Sequence, residues 1–248
     1  MKKKVAVVTG AGSGIGKATA DKFTEEGFQV VLADVSETRG KEVEAQLKEK
    51  GREVLFVKTD VSSYDQVQHL IEKTVDTYGT IDVMFNNAGI GDMGSILDPD
   101  LDMYQKTIEV NQHGVAYGIF AAARKMVALN VQGVIINTAS VFGYMASRGT
   151  FAYQASKGAV RMMTQTAALE LGEHGIRVVG IAPGGVDTPI IQGYKDMGAL
   201  ESLKRKHLRN ELIQPEEIAG VAYLLTSPDA QAVNGSVVMA DDGYASFR

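Results

Sequence analysis

The sequence predicts an α/β fold: a single-domain, doubly wound, seven-stranded and mainly parallel sheet with helices on both faces. Short runs rich in β-branched residues recur along the chain, and helical patterns lie between them. These runs are apolar throughout rather than alternating, which is typical of strands covered on both faces. Crossovers long enough to contain a helix make neighbouring strands parallel. The predicted strands are Val5–Val8, Gln29–Ala33, Glu53–Lys58, Ile81–Asn86, Val134–Thr138, Arg177–Ile181 and Ser236–Met239.

Polar caps and glycines bound the helices predicted between these strands. Ser63 is placed to cap a helix that ends near Gly79. A second helix is predicted from Ser36 to Lys50, with Gly51 after its end. The apolar stripe of the first of these helices comprises Val67, Leu70, Ile71 and Val75.

Length and composition exclude several classes of protein. The chain has 248 residues, of which 45% are hydrophobic, and its net charge is −5, whereas disordered chains are poor in apolar residues. It contains no cysteine, which excludes a disulfide scaffold. No internal repeat and no linker rich in proline or serine divides it. We therefore predict one domain spanning residues 1–248.

No segment has the length and apolarity of a membrane span. A span needs about 20 apolar residues, and the longest such stretch, Gly114–Ala123, has about half that number. The basic start MKKK precedes only the short apolar run Val5–Val8, which is too short for a signal peptide. We expect a cytoplasmic protein with no membrane partner.

The basic residues give little sign of nucleic-acid binding. One cluster comprises Lys204, Arg205, Lys206 and Arg209, and no aromatic residue that could stack on a base interrupts it. The overall charge is acidic. A solvated helix face is therefore favoured for this cluster, and we expect no nucleic-acid partner.

One connection, from Thr188 to Gln214, is longer than the others. It contains Gly193 and Gly198, and prolines stand near its two edges, at Pro189 and Pro215. Long connections in compact domains are commonly functional loops. We predict a mobile lid over residues 188–214.

A glycine-rich turn follows the first predicted strand. The segment TGAGSGIG runs from Thr9 to Gly16 and leads into a helix. Gly10 allows the tight turn, Gly14 allows the backbone to approach a diphosphate, and Gly16 allows close packing of the helix on the sheet. The helix N-terminus then faces the anion with free N–H groups. The alternative is an ordinary tight connection between a strand and a helix.

Acidic residues end the second and third strands. Asp34 lies 18 residues beyond Gly16, where a carboxylate can accept both hydroxyls of an adenosine ribose and repel a 2′-phosphate. No basic residue stands at Ser13 or Val35 to hold an extra phosphate, which favours NAD over NADP. Asp34 could instead begin the next helix. Asp60 could accept from the adenine amino group or only start a turn.

A serine, a tyrosine and a lysine form the candidate reactive group. Ser140 follows the strand Val134–Thr138, at the edge of the sheet where open α/β proteins bind ligands. Tyr153 and Lys157 are four residues apart at a helix start, so their side chains share one face. An ammonium about 4 Å away would lower a phenol pKa of about 10 by roughly three units.

Such a tyrosine could give a proton to a carbonyl oxygen while hydride reaches the carbon, or take the proton back in alcohol oxidation. Ser140 would hold the same oxygen by a hydrogen bond. The alternative is an amphipathic helix start with a surface lysine and a half-buried tyrosine. The glycine turn and Asp34 favour the catalytic interpretation.

Taken together, the motifs resemble those of the short-chain dehydrogenase/reductase family, in the family's order and over essentially the whole chain. TGAGSGIG matches the pattern TGxxxGIG, and NNAG ends the fourth strand at Asn86–Gly89. Tyr153 and Lys157 give YxxxK, with Ser140 13 residues before Tyr153. PGGVDT spans Pro183–Thr188. The resemblance implies a Rossmann fold and NAD-linked exchange between a ketone and a secondary alcohol.

The resemblance also implies roles for individual residues. Asn111, Ser140, Tyr153 and Lys157 would form the catalytic tetrad, with Tyr153 as acid and base. Asn111 would support a water that connects Lys157 to solvent, although a solvent-facing asparagine is the alternative. The implied cofactor contacts are Gly10, Ser13, Gly14, Ile15, Gly16, Asp34, Asp60, Val61, Asn87, Ala88, Gly89, Tyr153, Lys157, Pro183, Gly184, Val186 and Thr188.

The resemblance implies a homotetramer that packs helices near 99–130 and 153–172. The chain departs from the family at its end, where Asp241, Asp242 and Gly243 replace the usual Asp-Gly-Gly, which affects expectations for the C-terminal loop but not for the chemistry. His113, beside Asn111, is expected to pack in a helix interface rather than to act in catalysis.

Loops at the carboxyl edge of the sheet supply the candidate substrate pocket, and we expect no metal. Because the candidates are mostly apolar, a hydrophobic ketone or secondary alcohol is favoured over a phosphorylated sugar. Alternatives within the family are a 3-oxoacyl-thioester reductase and a sugar (glucose-type) dehydrogenase; outside it, a non-catalytic nicotinamide sensor. The candidates are Met93, Val141, Phe142, Tyr144, Ile190, Ile191 and Tyr194.

Overall fold

A computed structural model describes residues 3–91 and 93–247. Its centre is one sheet of seven strands in the order β3-β2-β1-β4-β5-β6-β7, and every pairing is parallel. The strand order reverses between β1 and β4, which opens a crevice at the carboxyl ends of these strands. The strands are β1 Val5–Thr9, β2 Gln29–Asp34, β3 Val54–Lys58, β4 Val83–Asn86, β5 Val134–Thr138, β6 Arg177–Pro183 and β7 Val237–Ala240.

The predicted fold class is confirmed, and the strand ends differ by at most two residues. Strand β6 continues to Pro183 because it pairs with β7, in which Ala240 is its last partner. Strand β4 begins at Val83 rather than Ile81. The preceding Asp82 instead accepts a hydrogen bond from the Val5 amide at 2.8 Å through its carboxylate.

The helices lie on both faces of the sheet. Ser63 caps α3 by accepting a hydrogen bond from Gln66, and Gly79 ends it in a left-handed conformation, as predicted. Ser36 caps α2 in the same way, through Arg39. The helices are α1 Gly14–Glu25, α2 Glu37–Glu49, α3 Tyr64–Tyr78, α4 Leu101–Ile108, α5 Gly114–Ala128, α6 Phe151–Leu171, α7 Gln192–Asp196, α8 Leu200–Lys204, α9 Pro215–Leu225 and α10 Tyr244–Phe247.

Alternate residues of each strand enter two separate apolar cores. In β1, Ala6 and Val8 pack with Phe23 of α1, whereas Val7 packs in the opposite layer with Leu70 of α3. Both layers exclude water, so both faces of the strands require apolar side chains. This explains the continuously apolar strand runs in the sequence.

A buried series of hydrogen-bonded polar residues joins α6 to the middle of the sheet. The Asn86 amide of β4 donates to the side-chain oxygen of Asn137 in β5 at 2.9 Å. The Asn137 amide donates to the Thr164 hydroxyl of α6 at 3.0 Å. Hydrogen bonds in such surroundings are stronger than in water, and they fix the position of α6 relative to β5. This position matters because α6 carries Tyr153 and Lys157.

None of the helices within 3–91 and 93–247 is both long enough and apolar enough to cross a bilayer.

Replacing Gly16 with alanine should destabilise the fold. A β-carbon there would lie 2.1 Å from the Gly10 carbonyl oxygen, and this backbone atom cannot move without breaking the turn. Overpacking of this kind costs about 1–3 kcal/mol. We expect urea unfolding of Gly16→Ala to show a free energy of unfolding about 2 kcal/mol below that of the wild type.

Gly220→Ala is the matched control. Gly220 lies within α9 and has no heavy atom within 4 Å of the position its β-carbon would take. Alanine there should raise the free energy of unfolding by about 0.5–1 kcal/mol. Equal effects of the two substitutions would contradict the proposed contact of Gly16.

Candidate active site

Two adjoining cavities occupy the crevice at the carboxyl edge of the sheet. The larger cavity, of about 1030 Å³, lies along the glycine-rich turn after β1 and along the ends of β2 and β4. The smaller, of about 240 Å³, lies between the end of β5, the start of α6 and the predicted lid. Gly91, Ile190 and Gly193 line both cavities, so a molecule in one can reach a molecule in the other.

The glycine turn has the geometry of an anion cradle. Gly10 and Gly14 adopt φ values of +67° and +50°, which side chains other than glycine rarely adopt. Ser13 stands at the N-cap of α1 but its side chain makes no capping bond, so its hydroxyl is available to a ligand. The N-terminus of α1 adds the positive end of its dipole. The turn therefore fits a diphosphate.

Asp34 lies in the larger cavity and is held by two backbone amides. Its Oδ2 accepts from Gly12 at 2.9 Å, and its Oδ1 accepts from Ser36 at 2.8 Å. The carboxylate therefore begins the turn into α2, as one sequence interpretation held, and it also lines the cavity, where binding of a ribose stays a prediction. The structure adds Arg39, a basic residue that the sequence analysis missed, with its guanidinium 3.6 Å from Asp34.

Asp60 likewise serves a turn and lines the larger cavity. One of its carboxylate oxygens accepts from the Ser62 amide at 3.0 Å and from the Ser62 hydroxyl at 2.6 Å. Nearby, the Asn87 amide donates to the Thr9 carbonyl at 3.0 Å, which ties β4 to β1. The predicted cofactor residues that line the larger cavity are Gly10, Ser13, Gly14, Ile15, Asp34, Asp60, Val61, Asn87, Ala88, Gly89 and Thr188.

Other predicted cofactor residues lie elsewhere. Gly16 packs α1 against the turn, and Gly184 lines the smaller cavity. Pro183 ends β6, and Val186 is buried beside Ile213. The larger cavity instead contacts four residues around α4 that the sequence gave no reason to select. These are Asp102, Gln105, Lys106 and Glu109.

The predicted reactive residues meet at the smaller cavity. Ser140 and Tyr153 both line it, and a hydrogen bond with Ser140 opposes the rise that burial causes in the pKa of Tyr153. The Ser140 hydroxyl also accepts from the Phe142 amide at 3.1 Å, which fixes its direction. A carbonyl oxygen between these two hydroxyls would receive a hydrogen bond from each.

Lys157 is buried beneath Tyr153 and donates to the Thr138 carbonyl at 2.7 Å. Its nitrogen lies over the phenol ring, 5.6 Å from the centroid. Burial lowers the pKa of Lys157 to about 8 and raises the pKa of Tyr153. The expected lowering of the phenol pKa by Lys157 is therefore not seen, because the ammonium is directed to a carbonyl at the end of β5.

Asn111 lies in a π-helical turn, Glu109–His113, between α4 and α5. Its side chain is fully buried, so the solvent-facing alternative is wrong. Its oxygen accepts from the Ile90 amide at 2.8 Å, and its amide donates to the Ile90 carbonyl at 2.9 Å. Asn111 thus fixes the loop after β4. The His113 ring lies 6.1 Å from the Tyr117 ring, one turn further along the same helical segment, so its packing in an interface between helices stays a prediction.

The smaller cavity has a mostly apolar lining. Tyr144 lies outside it, because its ring packs against the Arg161 guanidinium, 4.7 Å from the ring centroid. Of the predicted pocket residues, those that line it are Met93, Val141, Phe142, Ile190, Ile191 and Tyr194. Four further lining residues are not indicated by any sequence motif: Thr150, Gly185, Leu203 and Tyr244.

The buried ammonium of Lys157 predicts a specific pH dependence of stability. Its pKa is about 8 in the folded protein and about 10.5 when exposed, so unfolding takes up a proton between these values. The free energy of unfolding therefore rises with pH between these two values. Below pH 8 it is reduced by the full cost of burying the Lys157 ammonium. Lys157→Met should remove this contribution. The free energy of unfolding of the wild type should therefore rise relative to that of the variant by about 2 kcal/mol from pH 7.5 to pH 10.

Urea unfolding of the protein without added dinucleotide measures the effect. Exposed Lys73→Met, on α3, is the control and should follow the wild-type profile. Parallel profiles for Lys157→Met and the wild type would show that the ammonium carries no such cost.

Comparisons with known proteins agree with this geometry. A family model described as enoyl-(acyl carrier protein) reductase matches residues 10–245. A 3β-hydroxysteroid dehydrogenase 2 of Eggerthella lenta is 36% identical over 248 residues, covering 98% of this chain and 95% of the relative. A cis-4-hydroxycyclohexanecarboxylate dehydrogenase of Sinomonas cyclohexanicum is 36% identical over 246 residues, covering 98% and 97%.

Among solved structures, a levodione reductase superposes with a TM-score of 0.94 at 33% identity, covering 99% of this chain and 98% of that one. These relatives are dehydrogenases and reductases that act on alcohol or ketone groups, and their similarity extends over nearly the whole chain. The chain therefore belongs to the short-chain dehydrogenase/reductase family, whose oxidoreductases use a nicotinamide cofactor to interconvert alcohols and ketones.

Proposed function

We propose that the protein is an NAD(H)-dependent oxidoreductase for compact cyclic ketones and the matching secondary alcohols. The smaller cavity is the observation that carries this proposal. A cavity of about 150 Å³ holds a benzene ring, so about 240 Å³ accommodates one six-membered ring with few substituents. A four-ring steroid, as the name of the Eggerthella relative suggests, would require the lid to move away.

The lining and a second relative support a ring substrate. Aromatic and aliphatic side chains cover most of the cavity, which suits hydrocarbon better than the many hydroxyls of a sugar. The Sinomonas relative is named for a six-membered ring that carries a hydroxyl at one position and a carboxylate at the opposite one. We therefore favour ring ketones over the 3-oxoacyl-thioester and glucose-type alternatives. The similarity to named dehydrogenases also disfavours a non-catalytic nicotinamide sensor.

Two hydroxyls of the protein act on one substrate oxygen. Tyr153 gives its phenolic proton to the carbonyl oxygen during reduction, and Ser140 holds that oxygen by a hydrogen bond. When bound, NADH supplies the hydride. Lys157 donates to the Thr138 carbonyl and lies over the Tyr153 ring, so it holds the start of α6, with the reactive phenol, against the end of β5.

The cofactor preference rests on Asp34. Two amides fix the carboxylate at the wall of the larger cavity, and its remaining lone pairs suit the hydroxyls of an adenosine ribose. A 2′-phosphate would meet this negative charge. Arg39 offsets it in part, but its side chain is about half exposed and so is well screened by water. We therefore favour NAD over NADP.

Residues 188–214 act in this proposal as a lid. Their apolar side chains Ile191, Leu203 and Leu212 form a small cluster of their own, apart from the two main cores. Segments with few contacts to the main core open at low cost. The lid would admit the ring and then exclude water from the reacting carbon.

We also propose a cytoplasmic homotetramer with neither nucleic acid nor a membrane as partner. The support for assembly is the set of large apolar side chains exposed on the helices α4 to α6, where the family resemblance places subunit contacts. They are Leu101, Tyr104, Phe120, Phe151, Met162 and Leu169. Apolar patches of this kind commonly mark protein interfaces. The absence of cysteine suits a reducing compartment.

A panel of carbonyl compounds tests the substrate proposal. With NADH, we expect kcat/KM to be highest for cyclohexanone and 1,4-cyclohexanedione and at least tenfold lower for a 3-ketosteroid and an acetoacetyl thioester. Glucose oxidation with NAD should be undetectable. Tyr153→Phe should lower kcat for the best ketone by about 100-fold or more, because proton transfer then lacks its donor.

Tyr117→Phe is the control for this variant, because it removes a phenol oxygen from α5, outside both cavities. It should retain wild-type kcat. A preference for the steroid, or full activity of Tyr153→Phe, would contradict the proposal.

Replacing Asp34 tests the cofactor preference. Asp34→Ala removes the charge that opposes a 2′-phosphate and leaves Arg39 free to bind it. Two unit charges about 4 Å apart interact by about 4 kcal/mol near a protein surface, so the ratio of kcat/KM for NADPH to that for NADH should rise by at least about tenfold.

In the double variant Asp34→Ala/Arg39→Ala, the ratio of kcat/KM for NADPH to that for NADH should rise less, since this variant lacks both the repelling and the attracting charge. An unchanged ratio in Asp34→Ala would remove Asp34 from the ribose site.

A further inference from the structure

Tyr244, at the start of the short helix α10, brings a second phenol to the wall of the smaller cavity. Its side chain is almost fully buried and lines the smaller cavity. The rings of Tyr244 and Tyr153 both lie edge-on to Phe142, at centroid distances of 6.1 Å and 6.4 Å. Phe142 thus packs against both the reactive phenol and the second phenol in the wall of one cavity.

The Tyr244 hydroxyl is a polarised donor. Lys206 donates a hydrogen bond to its oxygen at 3.2 Å, and the same ammonium lies 5.2 Å from the ring centroid. Burial raises the pKa of Tyr244 to about 12, so the hydroxyl keeps its proton in neutral solution. Within 3–91 and 93–247 no acceptor takes this proton. A phenol that accepts from a cation donates a stronger hydrogen bond through its own proton.

The backbone around Tyr244 is held firmly. Asp241 accepts hydrogen bonds from Gly243 and Ala245 and so caps the short helix α10. Asp242 accepts from the Arg209 amide at 2.9 Å and joins this tail to the lid. These contacts preorganise the phenol before any ligand arrives.

His207 supports the ring of Tyr244 from below. The two rings are stacked, with centroids 5.4 Å apart, and the His207 Nε2 accepts from the Gly185 amide at 2.9 Å. Gly185 also lines the cavity. His207 belongs to the lid segment, and it thus links the Tyr244 phenol to the backbone at Gly185 when the lid is in the position seen here.

We infer that the Tyr244 hydroxyl, positioned by Lys206, binds a second oxygen of the substrate, at the far end of the ring from the carbonyl held by Ser140 and Tyr153. This inference rests on the proposed function and deepens it. The ring would lie against Phe142, between two polar ends of an otherwise apolar cavity. The preferred substrate class is then a six-membered ring with oxygen-bearing groups at opposite positions. A ring with only one oxygen would leave the Tyr244 donor unpaired.

Cyclohexanone and 1,4-cyclohexanedione form a matched pair for the test, since they differ by one oxygen across the ring. The measured quantity is the ratio of kcat/KM for the dione to kcat/KM for the monoketone, with NADH. Comparing this ratio between proteins cancels the intrinsic reactivity of the two ketones. Tyr244→Phe keeps the ring that packs on His207 and Phe142, and it should lower the ratio about tenfold, the effect of one hydrogen bond.

In this inference Lys206 acts only by positioning the Tyr244 hydroxyl. Its variants therefore distinguish this effect from a general disturbance of the cavity. Lys206→Met should lower the ratio about threefold, whereas Lys206→Arg, which can still donate to the phenol, should restore most of it. A purely structural role would lower kcat/KM for both ketones equally and leave the ratio unchanged. Tyr223→Phe, on α9 and away from both cavities, is the control and should leave the ratio unchanged.

A ratio within twofold of the wild type in Tyr244→Phe would overturn the inference. Failure of the proposed function would look different, because the wild type would then reduce neither ketone. In that case the Kd values of cyclohexanol and 1,4-cyclohexanediol for the protein with NADH, measured by calorimetry, replace the kinetic ratio. The diol should bind more tightly than cyclohexanol to the wild type and lose that advantage in Tyr244→Phe; equal affinities in the wild type would also overturn the inference.

Discussion

The hydrogen bond from Lys157 to the Thr138 carbonyl is the interaction on which the active site depends. It joins the first turns of α6 to the end of β5, and so places Tyr153 and Ser140 at one cavity. Burying an ammonium costs several kcal/mol unless polar partners replace its water. One carbonyl replaces only part of that water, which is why the pKa of Lys157 falls to about 8. The fold thus carries a buried cation beside the phenol at the expense of its own stability.

The rest of the core keeps this arrangement in place. The hydrogen-bonded series Asn86, Asn137 and Thr164 connects β4, β5 and α6 two turns further along the helix. Asn111, in its π-helical turn, fixes the loop after β4 and also contacts Ser156 of α6. Each of these groups is buried and polar, and each would be costly to leave unpaired. The positions of the reactive side chains therefore follow from the packing of the sheet and its helices.

Regular elements and motif residues could be predicted from sequence because their causes are local. Continuous apolar runs reveal strands covered on both faces, and Ser63 with Gly79 marks both ends of one helix. The contact between Lys206 and Tyr244 could not be predicted in this way, because the two residues are 38 positions apart and only the tertiary fold brings them together. For the same reason Tyr144 was expected in the pocket, although a cation–π contact with Arg161 turns its ring elsewhere. Lys206 was interpreted as part of a solvated face, because nothing near it in sequence indicates a buried phenol.

The same contrast between local and long-range causes applies to the two walls of the smaller cavity. The groups proposed to act on the carbonyl are Ser140, two residues after β5, and Tyr153, on α6, and the packing of the sheet dictates their positions. The far wall of the cavity comes from the lid and the C-terminal tail. At the tail, Asp242 takes a left-handed conformation with φ of +46°, at the position where the family usually has glycine. Such a conformation costs a non-glycine residue about 1–2 kcal/mol. The Asp242 carboxylate offsets part of that cost by binding the Arg209 amide and guanidinium of the lid segment. The departure from the family pattern thus ties the tail that carries Tyr244 to the lid segment, whereas Tyr153 lies apart from this contact on α6.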